Sequence, residues 1–245
     1  CDRWLSMTSS SLHPCTHLRR FNMHGWHPNE ALSTDENYLD MMMLITRNST
    51  CRQGCMGCVL VDTSRLTSNE QIVSRSLEHA SSLEESPNDY QKSMYNAVIG
   101  AATNTPLFSD FDSDVHAEIG ALGVAACKGN QTEACTAYIT MPPCKRCFAA
   151  LFVSGVKRIV TLQPSHDSIM SVARKHGIEM VDASKMISKE EQQLRISKII
   201  RDSGGDKDLS LLSDITEHRK RKREEKLLRK EKAMLKNKKG PITEC

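Results

Sequence analysis

The segments His116-Ala117-Glu118 and Pro143-Cys144-Lys145-Arg146-Cys147, with 24 residues between them, decide how this chain is interpreted. Histidine nitrogen and cysteine sulfur are preferred zinc ligands in proteins. A structural zinc is usually closed by four protein groups, whereas a catalytic zinc keeps one position for water. The three candidate ligands His116, Cys144 and Cys147 therefore predict a catalytic Zn²⁺ site.

Glu118 is the candidate catalytic residue. Zinc lowers the pKa of bound water to about 7, so that hydroxide becomes available at neutral pH. A carboxylate two residues after His116 can reach that water without binding the metal. It can then carry a proton to a ring nitrogen and to a leaving amine. The pattern H-x-E followed by P-C-x-x-C is typical of zinc deaminases, so these residues predict a hydrolytic deamination that yields a carbonyl group and ammonia.

Hydrophobic periodicity predicts helices alternating with strands across the middle of the chain. Helices are predicted at 36–47, 115–128, 144–154 and 167–176, and strands at 56–62, 95–102, 136–141, 158–162 and 178–181. Asp114 is a suitable N-cap for the helix at 115–128. Strand–helix–strand repeats imply parallel pairing, with helices on both faces of an α/β sheet. The two helices that carry the ligands are expected to lie side by side on one face.

These motifs resemble the CMP/dCMP-type deaminases, a branch of the cytidine deaminase superfamily. The resemblance covers residues 36–183 and includes Arg47-Asn48-Ser49-Thr50-Cys51, Gly57–Val61 and Gly155–Val160. The pattern is closest to deoxycytidylate deaminases, although Gly120 stands where that group usually has Asn. The resemblance implies a three-layer α-β-α, cytidine-deaminase-like fold with a mixed five-stranded sheet, and a homo-oligomer.

The resemblance also implies substrate-binding residues. In this family an Asn in the loop after the second strand contacts the substrate, and Asn104 occupies that position. Ala117, between His116 and Glu118, is the second candidate substrate-binding residue.

The predicted organisation is one deaminase domain with extensions at both ends. The boundaries are an irregular extension at 1–34, the domain at 35–185 with a polar insertion at about 63–94, and a helical, basic extension at 186–245. Part of the insertion, around 68–84, has a composition compatible with a helix. Helices are also expected at 186–203 and, after a Gly/Asp linker, from about 209 to 238.

The charge distribution separates an acidic body from a basic tail. Residues 217–239 contain 12 basic and four acidic residues, although the whole chain carries only +3. Such a segment is typical of nuclear import, of contact with nucleic-acid phosphates, or of a solvated helix face. We expect a cytoplasmic or nuclear protein. An organellar destination also stays open, because residues 1–34 are rich in Ser and His and poor in acids.

Hydropathy and the cysteines indicate a protein without membrane-spanning helices and without a disulfide framework. No apolar run approaches the roughly 18–20 residues that a membrane-spanning helix needs, so no membrane partner is expected. The ten cysteines are interpreted as reduced thiols and metal ligands, with Cys58 as a buried structural thiol. His13, Cys15 and His17, with His24 and His27, could hold a second metal, but their spacing favours an irregular segment.

Three functions follow from the sequence. The first is zinc-dependent deamination of a cytosine nucleotide, with dCMP as the favoured substrate and dUMP as product. This would make the chain a hydrolase acting on C–N bonds in cyclic amidines. The second is deamination of adenosine or cytidine in tRNA or another RNA, because His116–Ile119 and the basic tail are also similar to tRNA adenosine deaminases. The third is a noncatalytic zinc-binding partner subunit.

Overall fold

The computed structural model describes residues 18–51, 54–66, 88–108, 113–205 and Leu228. Within these ranges the chain forms six α-helices and one five-stranded sheet. The helices are α1 (Thr34–Thr46), α2 (Asp89–Ala97), α3 (Ala117–Cys127), α4 (Lys145–Val153), α5 (Asp167–Lys175) and α6 (Lys189–Asp202). The strands are β1 (Gly57–Val61), β2 (Val98–Thr103), β3 (Thr136–Ile139), β4 (Arg158–Thr161) and β5 (Glu179–Asp182).

The sheet has the strand order β2-β1-β3-β4-β5. β1 is antiparallel to both of its neighbours, whereas β3, β4 and β5 run parallel. Parallel neighbours need a crossover, and α4 and α5 provide the two crossovers. The predicted α/β class and mixed five-stranded sheet are confirmed.

Both faces of the central strands are buried, as the continuous apolar run of β1 predicts. All five residues of β1 are buried. Cys58 and Leu60 belong to the core that includes Ala121 of α3 and Leu151 of α4. On the opposite face, the ring of Tyr138 lies 5.2 Å from the ring of Tyr38 in α1. α1 therefore covers one face of the sheet, and α3 and α4 cover the other.

An ion pair and a hydrogen bond fix α1 over the sheet. Arg158 in β4 donates two hydrogen bonds of 2.7 Å to the carboxylate of Asp35, and the Tyr138 hydroxyl donates a third. Farther along α1, the buried carboxylate of Asp40 accepts hydrogen bonds from Gln192 and Arg195 of α6. The sequence prediction of a helix at 186–203 is confirmed by α6.

α3 lies unusually close to β2 because small residues line their contact. A Cβ atom at Gly120 would lie 2.8 Å from the Cβ atom of Ala102, closer than real Cβ contacts come. A Cβ atom at Gly100 would meet the backbone of Ala121. Gly120 thus has a packing reason, because any larger side chain at this position would require α3 or β2 to shift.

Two sequence predictions about element boundaries were wrong. Residues 95–97 are the end of α2 rather than the start of a strand, because Asn88 caps α2 by accepting the backbone N–H of Gln91. Asp114 does not cap α3. Its carboxylate accepts the backbone N–H groups of Leu107 and Phe108 instead, and α3 starts at Ala117.

The N-terminal segment that the structure describes has no helix or strand before α1, but it contributes to the core. Leu18, Met23 and Trp26 are buried, and the Tyr95 hydroxyl donates to the backbone oxygen of Trp26. The cluster at His13 to His17, the helix expected at 68–84 and the basic helix expected at 209–238 lie outside the described residues, apart from Leu228.

Two compact units divide the chain, Cys1–Ile196 and Ser197–Cys245. The sheet and the candidate site belong to the first unit. Among the residues that the structure describes, no helix is long and apolar enough to cross a membrane.

Candidate functional site

The N-termini of two helices meet at the candidate site. His116 is the N-cap of α3, and its side chain makes no capping hydrogen bond, so its imidazole is available to a ligand. Cys144 is the N-cap of α4, and its Sγ atom accepts the backbone N–H of Cys147 at 3.4 Å. Both helix dipoles place their positive ends here, which favours thiolates and anionic substrate groups.

The three predicted ligands lie together. The Nδ1 atom of His116 is 3.3 Å from Sγ of Cys147 and 3.8 Å from Sγ of Cys144. The three ligand atoms lie within 4.8 Å of one another. Zinc–sulfur and zinc–nitrogen bonds of about 2.3 and 2.0 Å in a tetrahedron would separate N and S by about 3.5 Å. The donor set and the spacing therefore fit Zn²⁺.

Electrostatics also fit a cation between these residues. Burial raises the pKa of the Cys147 thiol, and the negative charge of Glu118 raises it further. A nearby metal cation supplies the charge that stabilises a buried thiolate. Cys144 and His116 are exposed, whereas Cys147 is buried. The site is therefore closed towards the sheet and open towards solvent, where a water or substrate could enter.

Glu118 lies in the first turn of α3 with only 6% of its surface exposed. Burial raises the pKa of its carboxyl group, and its own backbone N–H, His116 and Cys147 oppose that effect. The Cys58 thiol, fully buried in β1, is also close enough to Glu118 and Cys147 for their charges to raise its pKa beyond the effect of burial. Glu118 therefore stands between the ligand cluster and the core.

Asn104 lies next to the ligand His116 through a short backbone pairing. Thr105 and Val115 exchange both backbone hydrogen bonds, at 2.9 and 3.0 Å. Asn104 precedes Thr105 and His116 follows Val115, so the antiparallel register places Asn104 and His116 next to each other. The Asn104 side chain is itself hydrogen-bonded to three residues of the loop between α1 and β1. Its role as a substrate contact stays a prediction.

The remaining candidate, Ala117, is the first residue of α3 and is buried. Its backbone N–H belongs to the first turn, where helix N–H groups have no partner within the helix. The N-cap side chain, His116, makes no capping hydrogen bond at this end of α3. The backbone of Ala117 can therefore donate a hydrogen bond to a substrate oxygen.

Sequence reasoning assigned no role to Ser49. Its Oγ atom lies 2.6 Å from Oδ1 of Asn104, across 55 residues of sequence. The available signal was its place in Arg47–Cys51, a segment already identified by resemblance, but no local pattern connects Ser49 to Asn104.

A sequence model of the cytidine and deoxycytidylate deaminase zinc-binding region matches residues 32–163, more than half of the chain. The match contains both ligand-bearing segments and Glu118. The chain belongs to this family. The predicted membership of the CMP/dCMP-type deaminases and the predicted zinc cofactor are thereby confirmed.

Individual relatives match over shorter stretches. The deoxycytidylate deaminase of Enterobacteria phage T2 is 34% identical over 80 residues, covering 30% of this chain and 41% of the phage protein. A probable cytosine deaminase of Schizosaccharomyces pombe is 30% identical over 82 residues, covering 34% of this chain and 48% of the yeast protein. The chain thus spans less than half the length of these curated relatives.

Among solved structures, the dCMP deaminase of cyanophage S-TIM5 aligns with a TM-score of 0.42 and 18% identity. The alignment covers 60% of this chain and 95% of the phage protein.

Proposed function

We propose that this protein is a hydrolytic deaminase of cytosine nucleotides that converts dCMP to dUMP. The observation that carries the proposal is the cluster of His116, Cys144 and Cys147 beside the nearly buried carboxylate of Glu118. Membership of the cytidine and deoxycytidylate deaminase family supports this chemistry. The phage relative, a deoxycytidylate deaminase, supports dCMP as the first substrate to test.

The proposed mechanism assigns one task to each part of the site. His116, Cys144 and Cys147 hold Zn²⁺, which when bound supplies a Lewis acid that makes water nucleophilic near neutral pH. Glu118 accepts one proton from the attacking water and delivers it to a ring nitrogen. It then carries the second proton, from the newly added hydroxyl group, to the departing amine. A C–O bond forms at the ring carbon, the C–N bond breaks, and ammonia leaves.

Two donors are available to orient the pyrimidine. One donor is the backbone N–H of Ala117, which directly follows His116 in the chain. The other is the side-chain amide of Asn104, which the bridge between Thr105 and Val115 places next to His116. The pyrimidine ring carries a carbonyl oxygen, and the sugar carries hydroxyl oxygens, so both kinds of acceptor are present in dCMP. Fixed donors of this type position a substrate without moving during the reaction.

Positive charge at the rim favours a nucleotide over a nucleoside. Lys145 and Arg146 lie between the two ligand cysteines, and both side chains are exposed. Neither forms an ion pair with any described residue. Exposed cations beside a binding cleft raise the local concentration of anionic substrates and their association rate.

A deamination assay on the purified, zinc-loaded chain tests the proposal. Substrates are dCMP, CMP, deoxycytidine, cytidine and total tRNA, products are measured by mass spectrometry, and the Glu118→Gln variant is the blank. Turnover of dCMP with a higher kcat/KM than deoxycytidine is the expected result. Inosine or uridine formed only in tRNA would overturn the proposal in favour of an RNA deaminase.

The basic tail gives the assay a second arm. If RNA were the substrate, removal of residues 206–245 would weaken activity, because each lost phosphate contact lowers affinity for a polyanion. Under the nucleotide proposal the shortened chain keeps its activity on dCMP. Activity on none of the five substrates would favour a noncatalytic partner subunit.

A further inference from the structure

The side chain of Asn104 is held in one amide orientation by backbone atoms. Its Oδ1 atom lies 2.9 Å from the backbone nitrogen of Met56, which can only donate. Its Nδ2 atom lies 2.6 Å from the backbone oxygen of Gly54, which can only accept. Amide oxygen and nitrogen are hard to distinguish from shape alone, but these two partners permit a single assignment.

Ser49 completes this arrangement. Its hydroxyl lies 2.6 Å from Oδ1 and 3.2 Å from the backbone oxygen of Asn104. Donation to the nearer Oδ1 uses both lone pairs of that oxygen. The same hydroxyl oxygen accepts the backbone N–H of Cys51 at 3.3 Å. Ser49 thereby connects the loop between α1 and β1 to Asn104, which lies next to the zinc ligand His116.

The hydrogen bonds of the Asn104 side chain leave one of its N–H groups available to a substrate. Its oxygen is saturated, and one of its two Nδ2 hydrogens is donated to Gly54. Within the described residues the second Nδ2 hydrogen has no acceptor. Asn104, which is 3% exposed, can therefore offer a substrate one N–H donor and no acceptor.

We propose that Ser49 is a positioning residue that, together with the backbone of Met56 and Gly54, holds the Asn104 amide in place and occupies its oxygen, so that the site selects a substrate with an acceptor oxygen at this point. The inference rests on the proposed function, because it assumes that Asn104 faces the substrate. The acceptor is either the carbonyl oxygen of the pyrimidine or a hydroxyl oxygen of the sugar. Loss of Ser49 leaves Oδ1 half-satisfied and lets a water or a substrate donor compete for it.

Substrate binding without turnover gives the first test. The Glu118→Gln variant, whose turnover is blocked under the proposed mechanism, is combined with Ser49→Ala, Ser49→Thr or Ser184→Ala. The dissociation constant of dCMP is then measured by calorimetry. Ser49→Ala should weaken binding about 2- to 10-fold, within the range of one neutral hydrogen bond, because the Asn104 donor is then held less firmly towards the substrate. Ser49→Thr, which keeps the hydroxyl, should restore most of the affinity.

Ser184→Ala is the matched control. Ser184 lies just after β5, and its hydroxyl also donates a 2.6 Å hydrogen bond, to Asp182 at the end of that strand. This variant should bind dCMP like the parent. Zinc content and melting temperature are measured for each variant, so that a general loss of folding is distinguished from a local effect on Asn104.

Steady-state kinetics with active Glu118 gives the second test. Ser49→Ala should raise KM with little change in kcat, because the hydrogen bond acts mainly in binding. Comparison of dCMP with 2′,3′-dideoxy-CMP identifies the acceptor. If the loss caused by Ser49→Ala persists with the dideoxy compound, the acceptor is the base carbonyl. If it disappears, the acceptor is the 3′-hydroxyl.

The outcomes separate the two proposals. An active wild-type enzyme whose affinity for dCMP is unchanged by Ser49→Ala would overturn the role of Ser49 alone. Equal losses in Ser49→Ala and Ser49→Thr, with a lower melting temperature, would overturn it as well, since they would indicate only structural damage. A wild-type chain that neither binds nor deaminates any cytosine nucleotide would overturn the proposed function, and this inference with it.

Discussion

The Nδ1 atom of His116 lies 3.3 Å from the Sγ atom of Cys147, although 31 residues separate them in the chain. This proximity follows from the fold, because α3 and α4 pack on one face of the sheet with their N-termini together. The only one of the three candidate ligands that is buried is Cys147. Its thiol, with a pKa raised by burial, depends on a cation for its ionised form.

Replacement of a ligand should therefore remove zinc. We expect Cys144→Ala and Cys147→Ala to bind far less than one zinc ion per chain and to unfold at a lower temperature, because the metal binds the folded state. Zinc is measured by plasma mass spectrometry after dialysis. Cys127→Ala is the control, because Cys127 is an exposed free cysteine on α3. Full zinc occupancy in Cys144→Ala would contradict the ligand assignment.

Glu118→Gln should separate metal binding from catalysis. The amide keeps the size of the side chain, so zinc content should stay close to one ion per chain. It cannot carry the proton, and removal of general acid–base catalysis costs about 10²- to 10⁴-fold in kcat. Glu133→Gln, at an exposed position outside the site, should retain normal turnover. Near-normal kcat in Glu118→Gln would show that another group moves the proton.

The pH dependence of stability should reveal the ion pair between α1 and β4. Burial alone would raise the pKa of Asp35, but hydrogen bonds from Arg158 and Tyr138 outweigh burial and lower it below the usual value. A carboxylate with a lowered pKa stabilises the folded state above its unfolded pKa of about 3.9. That stabilisation is lost as the pH falls through the folded-state pKa.

Asp35→Asn should accordingly lower the free energy of unfolding by about 1.5–3 kcal/mol at pH 7, the range for hydrogen bonds to a charged group. It should also flatten the decline in stability below about pH 4. Urea titrations between pH 2.5 and 7 measure both effects. Asp89→Asn is the control, because its 3.6 Å pair with Lys92 is about half exposed. A parallel pH profile for Asp35→Asn and wild type would contradict the prediction.

The outer surface of α3 gives a prediction about assembly. Ile119 is 42% exposed, and Gly123 and Ala126 are exposed on the same helix. A helix that is apolar on its solvent face is typical of one covered by another protein surface. If the chain forms the expected homo-oligomer through α3, Ile119→Glu should shift its mass towards the monomer in light scattering. Val172→Glu, with 43% exposure on α5, should leave the mass unchanged.

More of the candidate site than of its surroundings could be predicted from the sequence. Residue types and spacing alone selected His116, Cys144 and Cys147, because zinc chemistry restricts the donors so strongly. The bond from Ser49 to Asn104 connects two loops, and nothing local in either segment encodes it. The same limit explains Asp114, whose composition suits an N-cap but whose carboxylate is used by Leu107 and Phe108.

Hydrophobic periodicity likewise predicted the ends of a strand correctly where loops flank it. It failed where a helix passes directly into a strand. β1 is a continuous apolar run and matches its predicted range to within a residue at each end. α2 passes directly into β2 with no turn residue between Ala97 and Val98, so hydrophobicity alone could not divide them.

The last prediction concerns Gly120. It tests whether helix packing or substrate recognition determines which residue fits at this position. Introducing the Asn found at this position in deoxycytidylate deaminases places a Cβ atom 2.8 Å from the Cβ atom of Ala102. We expect Gly120→Asn to lose about 1–3 kcal/mol of stability through overpacking. Adding Ala102→Gly should recover part of this loss, since the two positions are in contact and their effects are coupled.

Gly123→Ala is the control on the same helix. A Cβ atom there meets nothing within 4 Å, so the change should stabilise α3 by about 0.5–1 kcal/mol through helix propensity. Denaturant titrations of the wild type and the three variants, with zinc bound, give the free energies. If Gly120→Asn were as stable as wild type and also lowered KM for dCMP, then α3 could move away from β2. Position 120 would then contribute to nucleotide recognition despite the close packing.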